Sequence, residues 1–147
     1  MRLQSVRIHN FKAIVDSKVV RLGPLTAFVG QNGAGKSSLI EALETYQAIV
    51  RDGLDLAMQR WLGIEHARHK GQETKERLGQ PVNPISFGLR LGLSPRRVSR
   101  LSMSVSNDPA FNHIFISDER LPFQDGTFVG RDPIGASQTY GRGRSIL

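Results

Sequence analysis

Residues 30–37 of this 147-residue chain, Gly-Gln-Asn-Gly-Ala-Gly-Lys-Ser, constrain it more than any other stretch. They satisfy G-x-x-x-x-G-K-[ST] without a mismatch. The pattern has a physical content. Glycines let the backbone curl around an anion and leave no Cβ in the way. The amides of residues 33–38 then point inward, and a helix starting there adds a partial positive charge. In such a loop Lys36 reaches the outer phosphates of a nucleotide, and the Ser37 hydroxyl ligates Mg²⁺. The flanks suit it. Leu25 to Val29 is a short, nearly continuous apolar run, as expected of a strand buried on both faces. After the loop, Leu39, Ile40, Leu43, Tyr46, Ile49 and Val50 recur at helical spacing, with Gly53 as the stop. Residues 25–52 therefore read as strand, glycine loop, helix. A glycine turn that merely carries a lysine and a serine would not need either neighbour.

The remaining pattern is that of one α/β domain. Alternation over residues 3–9, with Val6 and Ile8 on one face and Ser5 and Arg7 on the other, predicts a half-buried strand. Residues 16–22 predict a second, closed by Gly23-Pro24. Leu54, Leu56, Met58, Trp61 and Leu62 mark a short helix over 54–62, with Met58 and Trp61 read as packing rather than as a stacking platform. Residues 64–80 are polar and charged, a solvent-exposed helix or a mobile connector. Residues 85–93 and 98–105 predict two strands around a Ser94-Pro95 turn, and 112–117 and 127–129 give weaker strand signals. Residues 1–129 thus form the expected domain, and 130–147 a flexible tail with little to pack.

Composition excludes several classes. The chain has no cysteine, so a disulfide scaffold, a thiolate metal site and a cysteine nucleophile are ruled out. No apolar run approaches membrane-spanning length and the N-terminus has no signal-peptide block, so a cytoplasmic location with no membrane contact is expected. The net charge is +7, and arginine outnumbers lysine fifteen to five. Such an excess favours polyanionic partners. Between Arg77 and Asn107 there are five arginines and no acid. Arg90, Arg96, Arg97 and Arg100 are therefore candidates for DNA phosphate contact, against the plainer reading of a solvated or partner-facing loop.

The stretch IHNFKAI…VRLGPLTAFVGQNGAGKSSLIEAL resembles the N-terminus of the ABC-type ATPase heads of the SMC, RecF and OLD-nuclease families. It is most similar to bacterial AAA family ATPases of the OLD-like branch, which are linked to DNA repair or phage defence. The features carrying the resemblance are Asn10-Phe11-Lys12, the G-x-N-G-x-G-K-S loop and Leu39 to Leu43, covering about residues 3–44. The resemblance implies the N-terminal lobe of a P-loop NTPase head, a mixed sheet with an added antiparallel strand pair. It implies ATP and Mg²⁺ as ligands, held by Gly30, Asn32, Gly33, Ala34, Gly35, Lys36, Ser37 and Ser38, with Ser37 on the metal. Asn32 would lie near the γ-phosphate, and residues 10–12 would flank the base or ribose. Relatives hydrolyse ATP between two heads, so a second head or a C-terminal lobe is an implied partner.

Hydrolysis also needs a carboxylate for the metal and one to position water. No signature segment of the L-S-G-G type is present, and Leu101-Ser102-Met103-Ser104 is the nearest string. Ile114-Phe115-Ile116-Ser117-Asp118-Glu119 mimics a Walker B strand, in which Asp118 would hold Mg²⁺ through water and Glu119 would act as base. An E-x-L strand explains the same residues. Two readings stand: an incomplete ATPase head, from a truncated gene product or one half of a split head, or a non-hydrolysing module that binds nucleotide, DNA or a partner. His66 and His69, at i and i+3, share a helical face and have Glu65 and Glu73 nearby in sequence, but they complete no metal motif.

Overall fold

A computed structural model describes residues 1–71, 83–94, 97–108, 113–122 and 128–131. Seven strands and three helices are formed there: β1 (Arg2–Phe11), β2 (Ile14–Asp16), β3 (Val20–Arg21), α1 (Lys36–Asp52), α2 (Leu54–Gln59), α3 (Ile64–Ala67), β4 (Ile85–Ser94), β5 (Arg97–Asp108), β6 (His113–Pro122) and β7 (Phe128–Arg131). The strands form one sheet in the order β2-β1-β4-β5-β6-β7, with β3 also on β1. Every pairing among the described residues is antiparallel. The parallel pairing of the expected mixed sheet is therefore not formed within them.

Alternation decides which face is the core. Val6 and Ile8 of β1, Ile85, Phe87 and Leu89 of β4, and Leu101, Met103 and Val105 of β5 all point to one side and are buried. Helix α1 covers that side with Leu39, Ala42, Ala48 and Ile49, and Leu54, Ala57 and Met58 of α2 extend the cover. The buried stripe of α1 is displaced from the one the apolar spacing suggests. Ser38, Ala42, Thr45 and Ala48 face inward, while Ile40 is exposed. Small residues let the helix approach the sheet, and larger ones at the flanks fill the gaps. Phe87 packs on Phe11 and Tyr46, with ring centroids 6.4 and 5.7 Å apart, and Phe11 meets Trp61 edge-on at 6.0 Å. Such aromatic pairs contribute about 0.5–1.5 kcal/mol each beyond their burial.

Four expectations are corrected. Leu25 to Val29 forms no strand, and Leu25 and Val29 are 92% and 94% exposed. A strand buried on both faces requires a paired strand at its side and helices above and below, and the described elements supply neither there. The strand over 16–22 divides into β2 and β3, because Lys18 takes a left-handed φ of 55° between them. Residues 64–67 are a short helix with Ile64 and Ala67 buried, rather than a solvated segment; residues 72–82 lie outside those described. The two weak strand signals are longer than expected, as β6 and β7. The latter runs to Arg131, and residues 132–147 lie outside the described set.

Asp16 fastens β2 to β1. It accepts from Arg7 Nε and Nη2 at 3.1 and 3.0 Å and from Lys18 Nζ at 2.7 Å. The hydrogen bonds from Arg7, then those from Lys18, hold its carboxyl well below the usual carboxylate range. A carboxyl whose pKa is depressed by folding stabilises above its unfolded pKa, and that contribution is lost as pH falls through the folded one. Asp16→Asn is therefore expected to lower stability at pH 7 and to flatten the acid limb below about pH 4. Urea unfolding across pH 7 to 2 checks this, and parallel acid limbs in the two proteins would contradict it.

Candidate functional site

The glycine loop leads directly into α1. Gly33 and Gly35 adopt φ of 86° and 84°, the left-handed region that side chains with a Cβ rarely enter. Gly35 is the residue before the first helical turn, and its seat is tight. A Cβ there would lie 3.3 Å from Ile14 Cγ1 of β2. The loop thus lies close against Ile14 of the β1–β2 hairpin, and a Cβ at Gly35 would require Ile14 to give way by a few tenths of an ångström. The first turn of α1 carries no acid and no side-chain cap. Its leading amides are orphan donors of the kind that suit an anion.

Gly30, Asn32, Gly33, Ala34 and Ser37 are exposed, while Ser38 is buried beneath the loop. Lys36 Nζ donates to the carbonyls of Gly30 and Gln31 at 2.7 and 2.6 Å. The ammonium therefore lies across the open side of the loop, where a phosphate oxygen would compete with those carbonyls. The donor set fits a nucleotide phosphate: left-handed glycines, free helix amides and one mobile cation. It fits Mg²⁺ only through the exposed hydroxyl of Ser37. Among the described residues no group of three acidic, histidine or cysteine side chains is gathered to hold a metal.

Residues 10–12 reach Pro84, Glu41 of α1 and Trp61. Asn10 and Lys12 take φ of 54° and 48°, and Asn10 Nδ2 donates to the Pro84 carbonyl. Lys12 Nζ meets Glu41 Oε2 at 2.8 Å and lies 3.6 Å from the Trp61 ring centroid. Glu41 is about 7.5 Å along the helix from Lys36, at 1.5 Å per residue. Trp61 Nε1 donates to Thr45 Oγ1, which donates to the Glu41 carbonyl. The sequence reading placed Met58 and Trp61 in the packing, which the contacts bear out, but missed that Trp61 carries a cation. Lys12 and Trp61 are far apart in sequence, and no local pattern joins them.

Asp118 and Glu119 are at opposite faces of β6. Asp118 pairs with Arg120 at 3.3 Å on the outer face. Glu119 is 1% exposed on the core face, in register with Met103. It acts with burial to raise the Tyr46 phenol. Tyr46 is about 15 Å along α1 from Lys36. Ser117, which interrupts the apolar run, is buried and donates to the Ser104 carbonyl.

The other candidates are separated. Arg90 and Arg100 are directly opposed on β4 and β5, Arg97 begins β5, and Arg96 lies outside the described residues. His69 Nδ1 donates to the Lys12 carbonyl at 2.6 Å. Glu65 accepts from Arg68 and Asn107, and Glu73 lies outside the described residues. Sequence reasoning missed Arg68, which is 7% exposed and clamps α3 to β5 through Asn107.

The AAA ATPase domain family matches residues 1–47. The chain is 28% identical over 111 residues to the phosphate import ATP-binding protein PstB 1 of Pseudomonas putida, covering 75% of this chain and 36% of that protein. It is 51% identical over 41 residues to an ATP/GTP phosphatase of Helicobacter pylori, 28% of this chain and 11% of the relative. It is 48% identical over 44 residues to the chromosome partition protein Smc of Rhodopseudomonas palustris, 29% of this chain and 4% of the relative. The chain thus spans about a third or less of these relatives. No solved structure gives a significant match. Among the described residues no helix is long and apolar enough to cross a membrane. Residues 1–47 thus match the AAA ATPase domain model, and the chain is similar in part to SMC and ABC ATP-binding proteins.

Proposed function

We propose that this chain binds ATP with Mg²⁺ through Gly30 and residues 32–38, as the N-terminal lobe of an SMC/RecF/OLD-like ATPase head. The observation that carries the reading is the loop itself: left-handed Gly33 and Gly35 at the head of an acid-free helical turn, with Lys36 across the opening. Lys36 supplies the mobile charge for the outer phosphates and Ser37 the hydroxyl for the metal, which when bound screens phosphate charge. Exposed Leu25 and Val29 support a further element of the reading. Their apolar run suits a strand that pairs with a C-terminal lobe, and a second head would complete the catalytic site. The biological setting is DNA repair or phage defence in the cytoplasm, with DNA contacted by Arg90, Arg96, Arg97 and Arg100 of the β4–β5 segment.

Removing the loop's cation tests the binding claim. Lys36→Ala should weaken ATP binding about tenfold or more, since hydrogen bonds to charged groups contribute about 1.5–3 kcal/mol. Ser37→Ala should chiefly reduce the dependence on magnesium. Calorimetry with ATP and with ATP·Mg²⁺ separates the two, and equal affinity of wild type and Lys36→Ala would refute the claim.

Hydrolysis by the chain alone is expected to be negligible. Electrostatic preorganisation around the transferring phosphoryl group supplies most of the rate, and the sequence offers no signature segment to complete it. A phosphate-release assay on the pure chain checks this. Substantial turnover abolished by Glu119→Gln would instead make Asp118 and Glu119 the catalytic pair.

A further inference from the structure

The face of the sheet turned away from α1 carries a row of charge that the fold does not neutralise. Register places Arg21 opposite Ser5, Ser5 opposite Arg90, and Arg90 opposite Arg100, all on the outer side. Like charges directly opposed on neighbouring strands are destabilising. Arg7 and Arg120 on the same face have Asp16 and Asp118. Arg21, Arg90 and Arg100 have no carboxylate partner among the described residues.

Beside Arg90 and Arg100 the face is hollow at Gly88. Ser86, Ser102 and Ser104 are small neighbours of Gly88 in the β4–β5 ladder. A cavity of about 340 Å³ opens over Gly88, lined by Ser5, Arg7, Val19, Arg90 and Arg100 among others. That volume is in the range of small-ligand sites. Its lining is mainly apolar, with Arg7, Arg90 and Arg100 among the lining residues. Such a site favours a flat apolar group attached to anions. Guanidinium planes stack on aromatic rings and fork onto phosphates.

We propose that this outer face binds single-stranded nucleic acid, with one base seated over Gly88 and the adjoining phosphates on Arg90, Arg100 and Arg21. Charge complementarity selects the polyanion, and the hollow selects a strand whose base is free to leave its stack. The proposal deepens the DNA-contact part of the reading above and moves it from the turn to the sheet face. Nucleotide binding at Lys36 is independent of it.

Gly88→Val is the discriminating variant. It fills the hollow without changing charge, and a Cβ at Gly88 meets only ordinary contacts, at 3.7 Å from the Arg7 carbonyl oxygen and 3.9 Å from Arg7 Cβ. Fluorescence anisotropy with a labelled dT oligomer, over a salt series, is expected to show a loss of about tenfold or more for Gly88→Val with an unchanged salt slope. Arg90→Gln and Arg100→Gln should each reduce the slope by about 0.7. Inorganic polyphosphate should compete weakly and be insensitive to Gly88→Val. Circular dichroism melting establishes that each variant folds. Unchanged oligomer affinity in folded Gly88→Val, or polyphosphate competing as well as the oligomer, would overturn the proposal. So would displacement of the oligomer by a poly-glutamate peptide at equal charge concentration. If Arg96→Gln/Arg97→Gln weakens duplex DNA while Gly88→Val leaves the oligomer unaffected, the sheet-face site fails and the turn reading stands. The converse pattern supports the sheet face and removes the turn.

Discussion

The contact between Gly35 and Ile14 is the point on which the rest of the molecule turns. It seats the first turn of α1 on the β1–β2 hairpin, with little space for a Cβ. From that seat α1 runs across the sheet, and its small inward residues bring Tyr46 onto Phe87 and Thr45 to the Trp61 indole. The same seat fixes where the helix amides emerge and where Lys36 reaches. Packing and phosphate chemistry are thus set by one close approach, which explains why the loop requires glycine there twice over, for φ and for space.

A second constraint follows from the sheet being antiparallel throughout the described residues. Among the described residues its core face is covered by α1 and α2, and its outer face carries Arg21, Arg90 and Arg100. The run from Leu25 to Val29 passes between β3 and the loop without joining that sheet. Exposed apolar side chains at two of its positions carry a free-energy cost in water that a neighbouring strand would remove. The phosphate loop therefore hangs between an ordered helix and an unpaired segment. Such a loop holds the shape of its glycine turns, but its outer side has less support than in a closed sheet.

Local chemistry made the loop, α1 and the strands β1, β4 and β5 legible, because each depends on residues close in sequence. Gly33, Gly35 and Lys36 announce themselves by spacing, and Gly53 ends the helix where its position suggests. What was not legible depends on distant partners. Leu25 to Val29 has the composition of a central strand, but composition does not report whether a neighbour exists. Trp61 reads as packing and also carries Lys12, 49 residues away by their numbers. Arg68 reads as solvated and is instead buried against Asn107. Asp118 and Glu119 alternate on β6, Asp118 with Arg120 on the outer face and Glu119 on the core face, which the spacing alone does not assign to one side or the other.

The central claim is that the amides of residues 33–38 form an anion cradle anchored by the seat of α1. Amide hydrogen exchange of those residues, with and without ATP·Mg²⁺, tests it most directly. The account predicts slowed exchange across the loop and the first turn of α1 on adding nucleotide, with the outer-face strands unchanged. Unaltered exchange in residues 33–38 at saturating nucleotide, or protection confined to the sheet, would contradict it.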